Sequence, residues 1–143
     1  MRNILFLSVT KYNLEKDLHL KKKFEGLSRG MTPYVLGKGG PLHRKIWMTE
    51  FYLLPSGLFF WPLALFFTFW LCLTKRIDVI IAQSPLMEGL VGTIFKKILK
   101  KELIVEIHGD WQVRRIIAWL APFSLKNADK IRLRLCLDIF VKL

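Results

Sequence analysis

Glu102-Leu103-Ile104-Val105-Glu106-Ile107-His108-Gly109-Asp110-Trp111 reads as a buried β-strand that stops abruptly on a histidine, a glycine and an acid. A short, nearly continuous apolar run of this kind suits a strand covered on both faces, as in a parallel sheet. In open parallel sheets ligands are met at the carboxyl ends of the strands, so the polar residues at this tip are candidate ligand contacts. His108 by itself carries two readings, a hydrogen-bonded structural residue or a participant in chemistry.

Outward from this strand the chain alternates. Ahead of it, Leu86, Leu90, Val91, Ile94, Phe95, Ile98 and Leu99 recur at helical spacing, and Ser84-Pro85 offers an N-cap hydroxyl followed by proline at the first helical position. Lys96, Lys97, Lys100 and Lys101 crowd the last turns of that helix, where cations suit the dipole. Residues 78–83 form a further apolar strand. Nearer the amino terminus the pattern predicts a strand over 4–9, a helix from Leu18 to Gly30, a short strand over 33–36, a glycine-rich turn over 37–41 and a third strand over 51–54. Beyond Trp111 a helix is expected from Gln112 to about Leu125, around Pro122, and then a strand beginning at 128–132. Apolar strands alternating with amphipathic helices predict an α/β fold, a doubly wound parallel sheet. Three polar tips then share one sheet edge and line one cleft: Ser8 and Thr10, Gln83 and Ser84, His108 and Asp110.

At 143 residues the chain accommodates one domain, and 52% hydrophobic with 13% aromatic residues excludes intrinsic disorder. Twenty-three Lys and Arg against 11 Asp and Glu favour an anionic partner. No nucleic acid is expected, because the charges follow helix ends rather than an aromatic-interleaved surface. Cys72 and Cys136 lie far apart with no histidine beside either, so no metal site is read and the thiols fit a reducing compartment. The apolar run after Met1 is too short for a secretory signal.

With those residues in hand, the chain resembles the amino-terminal domain of glycosyltransferase family 4, enzymes of the GT-B fold. The resemblance rests on Ile4-Leu5-Phe6-Leu7-Ser8, on Asp78-Val79-Ile80-Ile81-Ala82-Gln83-Ser84-Pro85, on Glu106-Ile107-His108-Gly109-Asp110-Trp111 and on Ala128-Asp129-Lys130-Ile131-Arg132, in that order. It implies a Rossmann-like, acceptor-side half of a GT-B fold over residues 1–132. It also implies a nucleotide-sugar as donor substrate, no further cofactor, and a glycan or lipid-linked acceptor. The paired glutamates typical of the donor domain are missing: Glu15, Glu25, Glu50, Glu88, Glu102 and Glu106 include no pair eight positions apart. The donor-binding domain is therefore expected on a separate chain or lost by truncation, with residues 133–143 an incomplete or non-native tail. The family's glycine-rich loop after the first strand is also absent, since Ser8 to Glu25 holds no glycine. Ser8, Thr10 or Lys11 would then contact ligand by side chain, and Gly37-Lys38-Gly39-Gly40 is a substitute for approach to phosphate or merely a turn.

By the same resemblance His108 hydrogen-bonds a donor hydroxyl and helps stabilise an oxocarbenium-like transition state. Gly109 permits close approach of substrate. Asp110 orients His108, receives the acceptor or caps the following helix; Trp111 stacks on a sugar or packs.

Residues 57–74 carry no charge and would span about 27 Å as one helix, near the roughly 30 Å of a bilayer core. Arg44 and Lys45 precede them and Lys75 and Arg76 follow, without positive-inside asymmetry. The reading is a very apolar helix packed on the sheet, with its outer face at an anionic membrane surface; a plain buried helix is the alternative. Three functions follow: an acceptor-side transferase domain, cytoplasmic and peripheral at the inner face of the cell membrane; a non-enzymatic docking subunit that recruits a donor-binding chain; or a small basic membrane protein built as a helical hairpin.

Overall fold

The computed structural model describes residues 1–12, 14, 18–40, 42–108, 120–135 and 137–141. It is a mixed α/β structure with mostly parallel strand pairing, compatible with a Rossmann-like fold, and it divides into two compact units at Asp78 and Val79.

In the first unit, β1 (Arg2–Lys11) pairs in parallel with β2 (Met31–Lys38), and β2 pairs in parallel with β4 (Thr49–Leu54). Two helices, α1 (Leu18–Ser28) and α2 (Phe60–Thr74), cover opposite faces. Register places Phe6, Val35 and Phe51 side by side on one face. There Phe24 of α1 meets Phe6 and Phe51 edge to face, at ring separations of 5.6 and 5.2 Å. Tyr34 and Tyr52 belong to the other face, where Trp70 of α2 packs on Tyr52 and Lys75 lies over Tyr34. Burial on both faces explains why the run Ile4 to Ser8 is buried without alternation.

A strand that the pattern did not predict, β3 (Leu42–Ile46), lines the edge antiparallel to β4. Its hairpin closes through Trp47 and Met48, both at positive φ (52° and 61°), the backbone of a two-residue type I′ turn. Such turns ordinarily carry Asn and Gly, so a Trp-Met pair gives no signal in the sequence. Helix α2 begins at Phe60 rather than at Gly57. Pro62 is tolerated because it falls in the first turn, where no N–H is needed for the ladder.

In the second unit, β5 (Val79–Ala82), β6 (Glu102–His108) and β7 (Lys130–Leu135) are parallel neighbours in that order, and β8 (Leu137–Val141) returns antiparallel to β7. Strand β7 thus continues three residues past the boundary expected at Arg132. Helix α3 (Met87–Leu99) lies close on β5 and β6, since a Cβ at Gly92 would come within 2.5 Å of Leu103 and 3.6 Å of Ile80. Helix α4 (Leu120–Lys126) packs on α3 with Ser124 against Gly89. The helical expectation over 112–119 lies outside the described residues. Ser84 does not sit at the N-cap of α3 proper; its Oγ accepts the N–H of Leu86 at 3.1 Å, closing the turn from which the helix starts at Met87. Parallel strands occupy the place of the helical hairpin that a small basic membrane protein predicts.

Candidate functional site

Ser8 and Thr10 belong to the first unit. Leu7 of β1 pairs with Leu36 of β2, and the next registered pair is Lys11 with Lys38, so Ser8, Val9 and Thr10 together stand opposite Gly37. Extra residues leave a bulge with an N–H outside the ladder. Ser8 supplies the partner: its side chain is 3% exposed and its Oγ accepts the N–H of Thr10 at 3.0 Å. The Ser8 Oγ thus accepts one bond within the bulge, whereas Thr10 is exposed. The adjoining Gly37-Lys38-Gly39-Gly40 segment is likewise occupied. The N–H groups of Gly39 and Gly40 both donate to the carbonyl of Leu54 at 3.1 Å, Tyr12 lies against Gly37, and Lys38 sits over the Phe60 ring. Such a loop is a turn in its own right rather than an array of free donors for phosphate.

Gln83, Ser84 and His108 belong to the second unit. Strand β5 ends at Ala82 beside Val105, and Gln83 and Ser84 follow at once, both half-buried. Strand β6 runs three residues further, to His108. The two polar tips are thus the carboxyl ends of hydrogen-bonded parallel neighbours, the position at which open α/β sheets meet ligand. His108 is placed by its backbone, in register with Arg134 of β7; Gly109, Asp110 and Trp111 lie outside the described residues.

Two carboxylates escaped the sequence reading. Glu106 is 1% exposed in the middle of β6, in register with Arg132, and Glu88 is buried in the first turn of α3, where the helix dipole favours an acid. Charged side chains are seldom buried this fully without a partner. The signal was available in the interruption of Leu-Ile-Val by Glu106, two residues before the candidate histidine.

A third polar cluster surrounds Glu50 in the first unit. Tyr52 donates its hydroxyl to Glu50 Oε2 at 2.7 Å, Lys75 Nζ reaches the two carboxylate oxygens at 3.0 and 3.3 Å, and His43 Nε2 stands 3.6 Å away. His43 also stacks on the Tyr52 ring at 4.5 Å. Burial pushes the Glu50 carboxyl upward, but the bonds from Tyr52 and Lys75 and the Lys75 charge outweigh it, holding the group below the ordinary carboxylate range. Burial and the Glu50 charge raise Tyr52. A carboxylate engaged this fully ties the end of α2 to the β3–β4 edge and is no free base.

Asp78 and Asp129, both within the stretches that carry the family resemblance, share a structural task at the opposite strand ends. Asn3 donates its N–H to Asp78 Oδ2 at 2.8 Å while the Asp78 N–H returns to the Asn3 carbonyl at 2.8 Å. Leu103 and Asp129 repeat the exchange at 2.7 and 2.8 Å, with Lys96 bonded to the other Asp129 oxygen. Burial raises the Asp129 carboxyl, but the Leu103 N–H and Lys96 outweigh that effect and leave it low. Asp129 thus completes the parallel ladder of β6 and β7 at a strand start, and Asp78 holds the start of β1 through the same two-bond exchange.

No group of His, Cys, Asp and Glu among the described residues could hold a metal ion. No helix among them is long and apolar enough to cross a membrane. Comparison with protein-family models and with curated proteins finds no match.

Proposed function

We propose that the chain is the acceptor-side, doubly wound half of a GT-B glycosyltransferase, working at the cytoplasmic face of a membrane on a lipid-linked or polysaccharide acceptor. The observation that carries this reading is the pair of adjacent parallel strands β5 and β6 ending in Gln83-Ser84 and His108. The helices on both faces of the first unit and the resemblance of four ordered sequence stretches support it. A nucleotide-sugar is the donor, held by a donor-binding domain, and no further cofactor is needed. In this reading His108 hydrogen-bonds the transferring sugar, Gly109 admits it, and Asp110 receives the acceptor or fixes His108. Gln83 and Ser84, half-buried at the end of β5, border the acceptor.

The test is co-expression of the chain with a donor-binding chain, followed by transfer of radiolabel from nucleotide-sugars to membrane lipid or glycan. Transfer that needs both chains and falls at least a hundredfold in His108→Ala is expected. Transfer unaffected by His108→Ala removes that residue from the mechanism. The exposed apolar face of α2 favours a second reading, a docking subunit without chemistry of its own. That reading predicts that His108→Ala leaves transfer intact while recruitment of the donor chain to the membrane still requires this one.

A further inference from the structure

The outward face of α2 carries an inference about the membrane partner of that reading, and it stands without the sugar-transfer half. Phe60, Ala64, Thr68, Leu71 and Cys72 are buried on the inner side of the helix. The residues turned the other way, at helical spacing, are Pro62, Phe66, Phe69 and Leu73, with Trp70 at their border, and Leu58 and Phe59 precede them. Leu58 is 88% exposed, Phe66 63% and Leu73 56%. A helix on a water-facing surface puts polar residues outward; this one has none on that face before Thr74. Contiguous exposed apolar surface of this kind marks a contact.

Charge selects the contact. Exposed Arg76 follows the apolar stripe beside Lys75, which is paired with Glu50, and exposed Lys45 of β3 lies on the same sheet face as α2. Residues 1–78 hold twelve Lys and Arg against five Asp and Glu. Two copies meeting through this stripe would bring like charge to like charge, whereas an anionic bilayer complements both the apolar face and its basic rim. At 15 residues, about 22 Å long, α2 is too short to cross the roughly 30 Å hydrocarbon core.

We infer that α2 lies in the plane of an anionic membrane, with Phe66, Phe69 and Leu73 in the acyl boundary and Lys45 and Arg76 at the head groups. The experiment is flotation of the full chain with vesicles of phosphatidylcholine containing 30% phosphatidylglycerol, a composition chosen at roughly the charge density of an anionic leaflet. Binding about tenfold stronger than to pure phosphatidylcholine is expected, weakened by salt. In F66E/L73E, two exposed positions whose change leaves the inner packing alone, binding drops about tenfold with an unchanged circular dichroism spectrum and melting curve. K45E/R76E loses the preference for anionic vesicles. Should F66E/L73E misfold, the wild-type chain still decides: lipids brominated in the acyl chains should quench its tryptophan fluorescence. Failure to float, absence of quenching, or resistance to alkaline carbonate extraction, which marks a spanning segment, overturns the proposal. So does a dimer in lipid-free buffer that F66E/L73E dissolves while vesicle binding is unaffected. No donor or acceptor is present, so failure here leaves the transfer reading standing, and an inactive transferase leaves this one standing.

Discussion

Ser8 illustrates how a residue at a strand tip can hold the backbone that shapes it. Its hydroxyl satisfies the Thr10 N–H that the β1 bulge takes out of the ladder. Ser8→Ala should therefore cost about 1 kcal/mol of stability, the net worth of such a bond, read as a shift of the urea midpoint. Thr10→Ala, at an exposed position, should leave the midpoint in place. A Ser8→Ala chain as stable as the wild type would show that the bulge does not depend on the hydroxyl. The helical glycines form a second contrast. Gly92 faces Leu103 so closely that an added Cβ would meet its Cδ1 at 2.5 Å, whereas Gly26 in α1 has nothing within 4 Å. Overpacking predicts a loss of roughly 1–3 kcal/mol for Gly92→Ala, and helix propensity predicts a gain of about 1 kcal/mol for Gly26→Ala. Denaturation curves with both changes of the same sign would refute the packing assigned to α3.

Among the elements, the β3–β4 hairpin carries the most evident local strain. Met48 holds φ at 61° with a side chain that is largely exposed, so little packing offsets the left-handed backbone. Met48→Gly should stabilise the chain by about 1 kcal/mol, seen as a rise in melting temperature; a fall would mean that the methionine packs in a way its exposure hides. Trp47 differs, because its ring meets Phe51 edge to face at 6.2 Å. This hairpin was also the least legible element. Leu42-His43-Arg44-Lys45-Ile46 puts three basic or titratable side chains in a five-residue strand, and its turn lacks Asn and Gly. Charge on an edge strand protects it from pairing with another chain, and the same charge hides it from a search for apolar runs. Strands β1, β5 and β6 and helix α3 were legible because burial on both strand faces and one helix face writes the period directly into the sequence. The tips at Ser8, Gln83, Ser84 and His108 followed from those strands. The bulge at Ser8 did not follow, since it depends on the register with the strand beside it.

For the chain as a whole, the excess of twelve positive charges makes acid the direction of weakness. Protonation of 11 acidic residues removes every counter-charge, and two of those acids bind the proton less readily when folded than when unfolded: Glu50 in the first unit and Asp129 in the second. Because the unfolded chain takes up these protons first, the stability that both carboxylates contribute is fully present above their ordinary values of 4.5 and 3.8. It is lost as pH falls through the lower folded values. Melting temperature should therefore decline steeply below about pH 4.5. Glu50→Gln should melt below the wild type at pH 7, where the Lys75 ion pair and the Tyr52 bond have lost their carboxylate. The two curves should converge toward pH 2, where the wild-type group is also neutral. Asp129→Asn should behave alike through the loss of its bond to Lys96. Calorimetric scans at half-unit intervals would test this: a gap between variant and wild type that stays constant from pH 7 to pH 2 would show that neither carboxylate is linked to folding.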